Sequence, residues 1–245
     1  TLHLPAVDAA IRAALGTLAP LRSNTSNHAS PWIITVSHAC AATYTDFCRM
    51  DAVIYNGIAV DDIPFGVAPA LHGQPPEPYL LYAGRITPEK GVEDALAIAN
   101  AAGYRLLMVG AVYNPAYYAS RVAPRLTARA VALGPAPREQ LWTLMAGALA
   151  VLCPAQWDEP FGLVACEAQA AGAPVIGYAR GGLVEVVANG ETGYLLAPGD
   201  RAAAAAAVSS VGRLDRAACR RHVTDRFSLS RMLDDYEAFY RRMLA

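Results

Sequence analysis

The sequence lacks a long apolar run and a strong charge of either sign. Of its 245 residues 54% are hydrophobic, but alanine supplies much of that share, as in the run 202–207. No apolar run reaches the roughly 18 residues that a membrane-spanning helix needs. The net charge of −1 argues against a nucleic-acid surface, because such surfaces carry a basic excess. The composition fits a globular protein of one large or two small domains.

Cysteine is scarce and irregularly placed. The five cysteines are odd in number and show no C-x-x-C spacing, so a disulfide framework or a zinc site is not expected. They are predicted to be small buried residues in a reducing compartment, which favours a cytoplasmic location: Cys40, Cys48, Cys153, Cys166 and Cys219. The chain starts at Thr1 without a methionine or a signal-like segment, and we expect it to begin inside a longer protein.

The usual nucleotide and metal motifs are also missing. The sequence contains no G-x-G-x-x-G, no G-x-x-x-x-G-K-[ST] and no D-x-D pair that could carry a divalent ion on a nucleotide sugar. The adjacent pairs 61–62 and 234–235 are better explained as solvated carboxylates. We therefore predict no metal site and no bound cofactor.

Alternation of apolar strands and amphipathic helices predicts an α/β protein with a doubly wound parallel sheet. Its predicted parts are a small α/β lobe at 1–60, a linker rich in proline and glycine at 61–78, a larger sheet domain at 79–228 and a final amphipathic helix at 229–245. Within the larger domain, residues 117–127 are predicted to form a helix. The small lobe holds only about two strand and helix units, where a complete lobe has five or six strands.

The stretch 158–176 reads as a loop, a helix at about 163–171 and a buried strand. Pro160 has its φ angle pre-set for entering a helix, and Gly172 and Pro174 end the helix. The N–H groups of Phe161, Gly162 and Leu163 are then expected to be free at a partly positive helix end. Such an end is suited to bind a phosphate.

Two carboxylates flank this predicted anion site. Glu159 lies in the loop and Glu167 about one turn into the helix. A carboxylate accepts hydrogen bonds from neighbouring hydroxyls, as on a ribose or a hexose. A ligand with phosphate between two sets of hydroxyls is typically a nucleotide sugar. The alternative is an acidic residue at a helix start and a solvated glutamate on the helix, which would show the same spacing.

A second loop, 84–91, follows a predicted strand at the same edge of the sheet. Gly84 allows a close approach of the backbone to a ligand, and Arg85 and Lys90 supply two cations. Two fixed cations and a helix N-terminus could hold a diphosphate and stabilise it as a leaving group without a metal. A solvated basic loop is the alternative.

These motifs, in their order along the chain, resemble the retaining glycosyltransferases of family 4 (glycosyl transferases group 1). The resemblance rests on the segments 84–91, 159–167, 172–176, 181–185 and 190–193, and on 36–37 and 54–58 near the linker. It implies the GT-B fold, with a Rossmann-like donor-binding domain and part of an amino-terminal Rossmann-like lobe. The final helix then resembles the one that crosses back to the first lobe.

The resemblance also implies roles for particular residues. Gly84, Arg85 and Lys90 would hold the donor diphosphate, Glu167 the ribose, and Glu159 the donor sugar. The start of the helix would bind sugar and phosphate through the segment Phe161, Gly162, Leu163 and Val164. The base would lie near Leu133 to Ala136, and His3 resembles a histidine that lies near the donor sugar.

The function that this implies is metal-independent transfer of a sugar from a nucleoside diphosphate sugar to an acceptor hydroxyl, with retention of configuration. Arg85, Lys90, Glu159 and His3 are the expected catalytic residues, and a UDP-sugar is slightly favoured over a GDP-sugar. The acceptor could be a small molecule, a glycan or a lipid. A binding module without turnover and a nucleotide-sugar epimerase of the same architecture remain alternatives. With an incomplete first lobe, these residues alone are expected to bind the nucleotide, transfer sugar slowly or not at all, and self-associate.

Overall fold

The computed structural model describes residues 32–46, 49–66 and 77–244. The first part is small: β1 (Ile34–Thr35) pairs in parallel with β2 (Ala52–Val53), and α1 (His38–Ala42) lies between them in sequence. Ser37 caps α1, since its hydroxyl accepts from the Cys40 N–H at 2.9 Å. The sequence pattern predicts strands at 31–37 and 51–55 and a helix at 38–49, and all three are present but shorter.

The larger part contains a six-stranded sheet in which every paired strand is parallel. Its strand order is β5-β4-β3-β6-β7-β8. The strands are β3 (Tyr79–Ala83), β4 (Arg105–Val109), β5 (Ala130–Gly134), β6 (Ala150–Cys153), β7 (Val175–Tyr178) and β8 (Gly193–Leu196). The chain runs outward from β3 to β5 and then returns to place β6 against the other side of β3. This is the predicted doubly wound sheet.

Helices cover both faces of the sheet. They are α2 (Val92–Ala102), α3 (Arg138–Gly147), α4 (Leu163–Ala170), α5 (Leu183–Val186), α6 (Arg201–Val208), α7 (Arg216–Phe227) and α8 (Leu229–Leu244). Leu80 and Tyr82 point to the face covered by α2 and α6, whereas Leu81 points to the face covered by α4 and α7. All five residues of β3 are buried, as expected of a central parallel strand with both faces covered.

The helix predicted at 117–127 is present in part, but it lies two residues earlier and is irregular. This segment forms a short helical turn at Pro115–Tyr117, a π-helical turn at Tyr118–Val122 and a 3₁₀ turn at Ala123–Arg125. Pro124 explains the break, because its ring occupies the position of an N–H that a continuous α-helix would need. The segment 115–125 therefore packs through Tyr117, Tyr118 and Val122 into the core on the α2 side of the sheet, without regular helical geometry.

The final helix α8 packs against the amino-terminal part. Phe239 is buried with Ile34 and Ile54, and Met232, Tyr236 and Met243 pack around them. Tyr240 was predicted on the same packed side, but it is 56% exposed. In the described part of the chain, no helix is both long enough and apolar enough to cross a membrane.

Candidate active site

The chain changes direction across the sheet between β3 and β6. β4 and β5 lie on one side of β3, whereas β6, β7 and β8 lie on the other. In doubly wound sheets, ligands bind at such a point in the crevice beyond the carboxyl ends of the strands. The loops that follow β3 and β6 are therefore the ones that form the candidate site.

Backbone contacts hold these two loops together. Gly91, at the end of the first loop, has a φ of 72°, and a Cβ added there would lie 1.8 Å from Pro154 O. Only glycine fits this close approach without a shift of the backbone. The Gln156 N–H also donates to Glu89 O at 2.8 Å. The positions of the two loops are thus coupled.

The two cations of the first loop occupy different environments. The Lys90 side chain is 20% exposed, and its Nζ forms an ion pair with Glu159 Oε1. The Arg85 side chain is 47% exposed, with Nη2 3.8 Å from Glu89 Oε1 and Cζ 5.5 Å from the centre of the Tyr113 ring. A contact so long and so exposed is weak, so Arg85 can turn toward an anion at little cost.

Glu159 and Lys90 line a cavity of about 330 Å³ at the switch point. Trp157 lines it too, and its Nε1–H donates to Glu159 Oε1 at 3.0 Å. Val36 and Asn56 reach the cavity from the amino-terminal part. The cavity is therefore closed in part by both regions of the chain, and its wall carries Arg180 as well as the ion pair of Lys90 with Glu159.

The helix beside the cavity starts where the sequence predicts. Gly162 is its N-cap, with a φ of 105°, and α4 begins at Leu163. Pro160 lies before the cap, where its carbonyl accepts from the Ser37 hydroxyl at 2.5 Å. The Ala165 N–H donates to Gly162 O, so among the described residues the N–H groups of Leu163 and Val164 have no backbone partner. The N–H groups of Phe161 and Gly162 likewise have no backbone partner in this part of the chain, and the residues 161–164 line the cavity. The free donors predicted at 161–163 are therefore present and extend to Val164.

Glu167 lies outside this cavity and forms an ion pair that sequence reasoning missed. Its side chain is 6% exposed, and Arg138 donates to Glu167 Oε1 through Nε at 2.9 Å and Nη2 at 2.6 Å. Arg138 is the first residue of α3 and its Cζ lies 5.5 Å from the centre of the Trp142 ring. One feature of the sequence could have pointed to this ion pair. Arg138 lies in a Pro-Arg-Glu sequence that directly follows the segment 133–136, which was already predicted to lie near the site.

The segment predicted to lie near the base is at the same edge of the sheet. Leu133 is 47% exposed at the end of β5, and Ala136 is half-buried just before α3. Neither residue lines the cavity. The structure therefore separates the predicted residues into a cavity group, with Gly84, Lys90, Glu159 and 161–164, and an outer group, with Arg85, Glu167, Leu133 and Ala136.

The cysteine in the cavity wall is chemically inert. Cys153 ends β6, and burial raises the pKa of its thiol to about 12. The thiol is consequently neutral at physiological pH and is a poor nucleophile. Cys40, Cys166 and Cys219 are buried, as predicted for them. Cys48 and His3 lie outside the described residues.

A carboxylate also joins the two regions of the chain. Glu185, on α5, accepts from the N–H groups of His38 at 2.9 Å and Ala39 at 2.7 Å, and from the Tyr55 hydroxyl at 2.9 Å. Burial, and then the hydrogen bond to Glu185, raises the pKa of Tyr55 to about 12, so its hydroxyl stays protonated and donates. We call this contact the Glu185 clamp.

The fold and the clustered site define an α/β domain whose ligand crevice lies at the switch point of a parallel sheet. Residues 70–221 match the family model of glycosyl transferases group 1. The match covers more than half of the chain, and the chain belongs to this family. The GT-B type of α/β fold predicted from the sequence is confirmed.

Two relatives and one solved structure are similar to the chain. It is 38% identical over 191 residues to glycogen synthase of Mycobacterium tuberculosis, covering 76% of this chain and 44% of that protein. It is 33% identical over 225 residues to D-inositol 3-phosphate glycosyltransferase of Mycolicibacterium smegmatis, covering 82% of this chain and 51% of that protein. The crystal structure of AviGT4, a glycosyltransferase involved in avilamycin A biosynthesis, aligns with a TM-score of 0.73 at 28% identity. The alignment covers 86% of this chain and 63% of AviGT4. The chain spans about half the length of these curated relatives.

Proposed function

We propose that this chain carries the donor half of a glycosyltransferase that moves a sugar from a nucleoside diphosphate sugar to an acceptor hydroxyl. We further propose that the reaction retains the configuration of the anomeric carbon and needs no metal. The observation that carries the proposal is the contact of Lys90 with Glu159 in a cavity beside the free N–H groups of α4. That arrangement offers positive charge for a phosphate next to an acceptor for sugar hydroxyls.

In this proposal the diphosphate lies between the loop 84–91 and the start of α4. Lys90 and the N–H groups of Leu163 and Val164 contact it from inside the cavity, and Arg85 turns in from the rim. Glu159 accepts from the hydroxyls of the sugar. Glu167 accepts from the ribose through Oε2, because Arg138 already donates twice to Oε1. The base then lies toward Leu133 and Ala136.

In the proposed reaction, negative charge develops on the diphosphate as it leaves the anomeric carbon. The bond from the anomeric carbon to the phosphate oxygen breaks, and its electron pair leaves with the diphosphate. The acceptor oxygen forms the new bond to that carbon, and the acceptor proton is released. Arg85, Lys90 and the α4 amides stabilise the negative charge on the diphosphate, while Glu159 holds the sugar in place. His3 remains a proposed residue of this site.

The identity of the substrates is a further part of the proposal. We infer a UDP-sugar as the favoured donor, a hydroxyl of a small molecule, glycan or lipid as the acceptor, and the cytoplasm as the location. A thermal-shift panel of uridine, guanosine and adenosine diphosphates and their glucose conjugates identifies the base, since a bound ligand raises the melting temperature by mass action.

The test is a calorimetric titration in a buffer that contains EDTA, with the nucleotide that the panel selects. Wild-type protein is expected to bind the diphosphate, and Arg85→Ala is expected to weaken it about tenfold to a hundredfold, because a charge-assisted contact of roughly 1.5 to 3 kcal/mol is lost. Arg213→Ala, at an exposed turn, is the control. Binding that needs added magnesium or manganese would refute the metal-independent reaction.

The same titration separates the two glutamates. Glu167→Ala should weaken the free diphosphate, whereas Glu159→Ala should weaken the nucleotide sugar by at least about tenfold more than the diphosphate, because only the sugar reaches Glu159. Lys90→Ala is less informative, since it also removes the partner of Glu159. Equal losses for both ligands in both glutamate variants would contradict the roles proposed here. Conversion of the nucleotide sugar without an acceptor would instead indicate an epimerase.

A further inference from the structure

Trp157 contacts both members of the Lys90–Glu159 ion pair in the cavity wall. Its Nε1–H donates to Glu159 Oε1 at 3.0 Å, and Lys90 Nζ lies 5.1 Å from the centre of its ring. Lys90 forms its ion pair with the same oxygen, Glu159 Oε1. Indole, ammonium and carboxylate therefore form one unit in which a single oxygen receives both donors.

This convergence leaves the other oxygen of Glu159 available. Within the described ranges, Glu159 Oε2 receives no hydrogen bond from a side chain or a backbone N–H. An ammonium is a mobile point charge with three rotatable donors, so Lys90 alone fixes the carboxylate plane poorly. An indole N–H has one direction, and a hydrogen bond from it fixes which oxygen faces inward.

The loop that carries Trp157 is itself held in place. Next to Trp157, the Gln156 side chain donates to Asp94 Oδ2 at 2.9 Å and to Pro154 O at 3.0 Å. Asp94 is buried on α2 and also accepts from the Tyr178 hydroxyl and from Arg201. The indole therefore projects from a loop whose backbone is anchored to the sheet and to α2.

We propose that Trp157 is a positioning residue that directs Glu159 Oε2 toward the hydroxyls of the donor sugar. This role of Trp157 rests on the glycosyltransferase function proposed above. It assigns the indole a role in sugar recognition and no role in holding the diphosphate. Trp157 would thus raise the affinity for the nucleotide sugar relative to the nucleotide alone.

Trp157→Phe tests the proposal, because phenylalanine keeps an aromatic face for Lys90 and removes the N–H together with the smaller ring of the indole. UDP and UDP-glucose are the probes, or the corresponding pair for the base that the panel selects. The variant is expected to bind UDP within about twofold of wild type and UDP-glucose about fivefold to tenfold more weakly. Trp32→Phe is the matched control, since that indole is 51% exposed and packs on Phe239.

A double-mutant cycle excludes a merely structural effect. In a Glu159→Ala background, Trp157→Phe should have no further effect on UDP-glucose, because the carboxylate through which it acts is gone. Equal weakening of UDP and UDP-glucose, no weakening of either, or additive effects in the cycle would overturn the proposal. Failure of wild-type protein to bind any nucleotide sugar of the panel would instead refute the proposed function itself.

Discussion

His222 lies half-buried on α7, where its Nε2 is 3.0 Å from Val186 O and its ring packs edge-on against Phe227. Burial lowers the pKa of this imidazole, and the charge of Arg226 lowers it further, while the hydrogen bond to Val186 O and the nearby Glu191 and Asp225 raise it. The net shift is below the unfolded value of 6.5. The folded protein therefore prefers His222 neutral.

The consequence is a loss of stability in mild acid. At pH values between the folded pKa and 6.5 the unfolded chain binds more protons, so the free energy of unfolding falls as the pH drops below about 6.5 and levels off below the folded pKa. Urea denaturation at several pH values measures this for wild type and His222→Gln. The variant should show a smaller loss over that interval. An equal loss in both proteins would assign the acid sensitivity to other groups.

Single residues of the site were predictable where each follows an apolar strand. Lys90, Glu159 and Glu167 could be placed at the carboxyl edge, because parallel strands bring their ends to one edge of the sheet. Their partners could not be predicted in this way. Lys90 and Glu159 are 69 residues apart, and Arg138 and Glu167 are 29 apart, and nothing in local sequence pattern specifies which side chains meet at such separations.

The loop before α4 is held by the turn that precedes α5. A Cβ added at Gly182 would lie 2.6 Å from Phe161 Cα and 2.6 Å from Pro160 O. Both are backbone atoms, so Gly182→Ala must displace the loop 159–161. Since that loop carries Glu159, the variant is expected to bind the nucleotide sugar at least about tenfold more weakly and to lose roughly 1 to 3 kcal/mol of stability through overpacking.

Gly212→Ala is the control for Gly182→Ala, because nothing lies within 4 Å of a Cβ at that position. Titration of the nucleotide sugar and a thermal melt measure both variants. If Gly182→Ala binds and melts like Gly212→Ala, the packing of this turn against the loop 159–161 is not what holds Glu159.

At the level of elements, the strands from Tyr79 to Leu196 could be predicted from apolar runs that end at glycine or proline. The start of α4 at Leu163 could be predicted too, but the irregular geometry of the segment 115–125 could not. Pro124 has no N–H for a helical hydrogen bond, and it interrupts a segment that periodicity alone predicts to be a regular helix.

The Glu185 clamp connects the amino-terminal part of the chain to the sheet domain through a partly buried carboxylate. Glu185→Gln keeps the size of the side chain but replaces a charged acceptor, and we expect it to lower the stability by roughly 1.5 to 3 kcal/mol. Glu191→Gln, at an exposed turn, is the control. Urea denaturation followed by tyrosine and tryptophan fluorescence measures the difference. A midpoint equal to that of Glu191→Gln would show that the clamp contributes little.

The return of the chain from β5 to β6 also affects the order of folding. The two walls of the cavity come from the loops that follow β3 and β6, and these meet only when β6 has paired with β3. That pairing closes the whole segment that contains β4 and β5 into a loop. Closing so long a segment costs entropy before any contact compensates for it, and pairing of distant strands is slow. The cavity between these loops therefore forms only once the pair of β3 with β6 has formed. A fluorescent nucleotide added during refolding would report when the central strand pair closes.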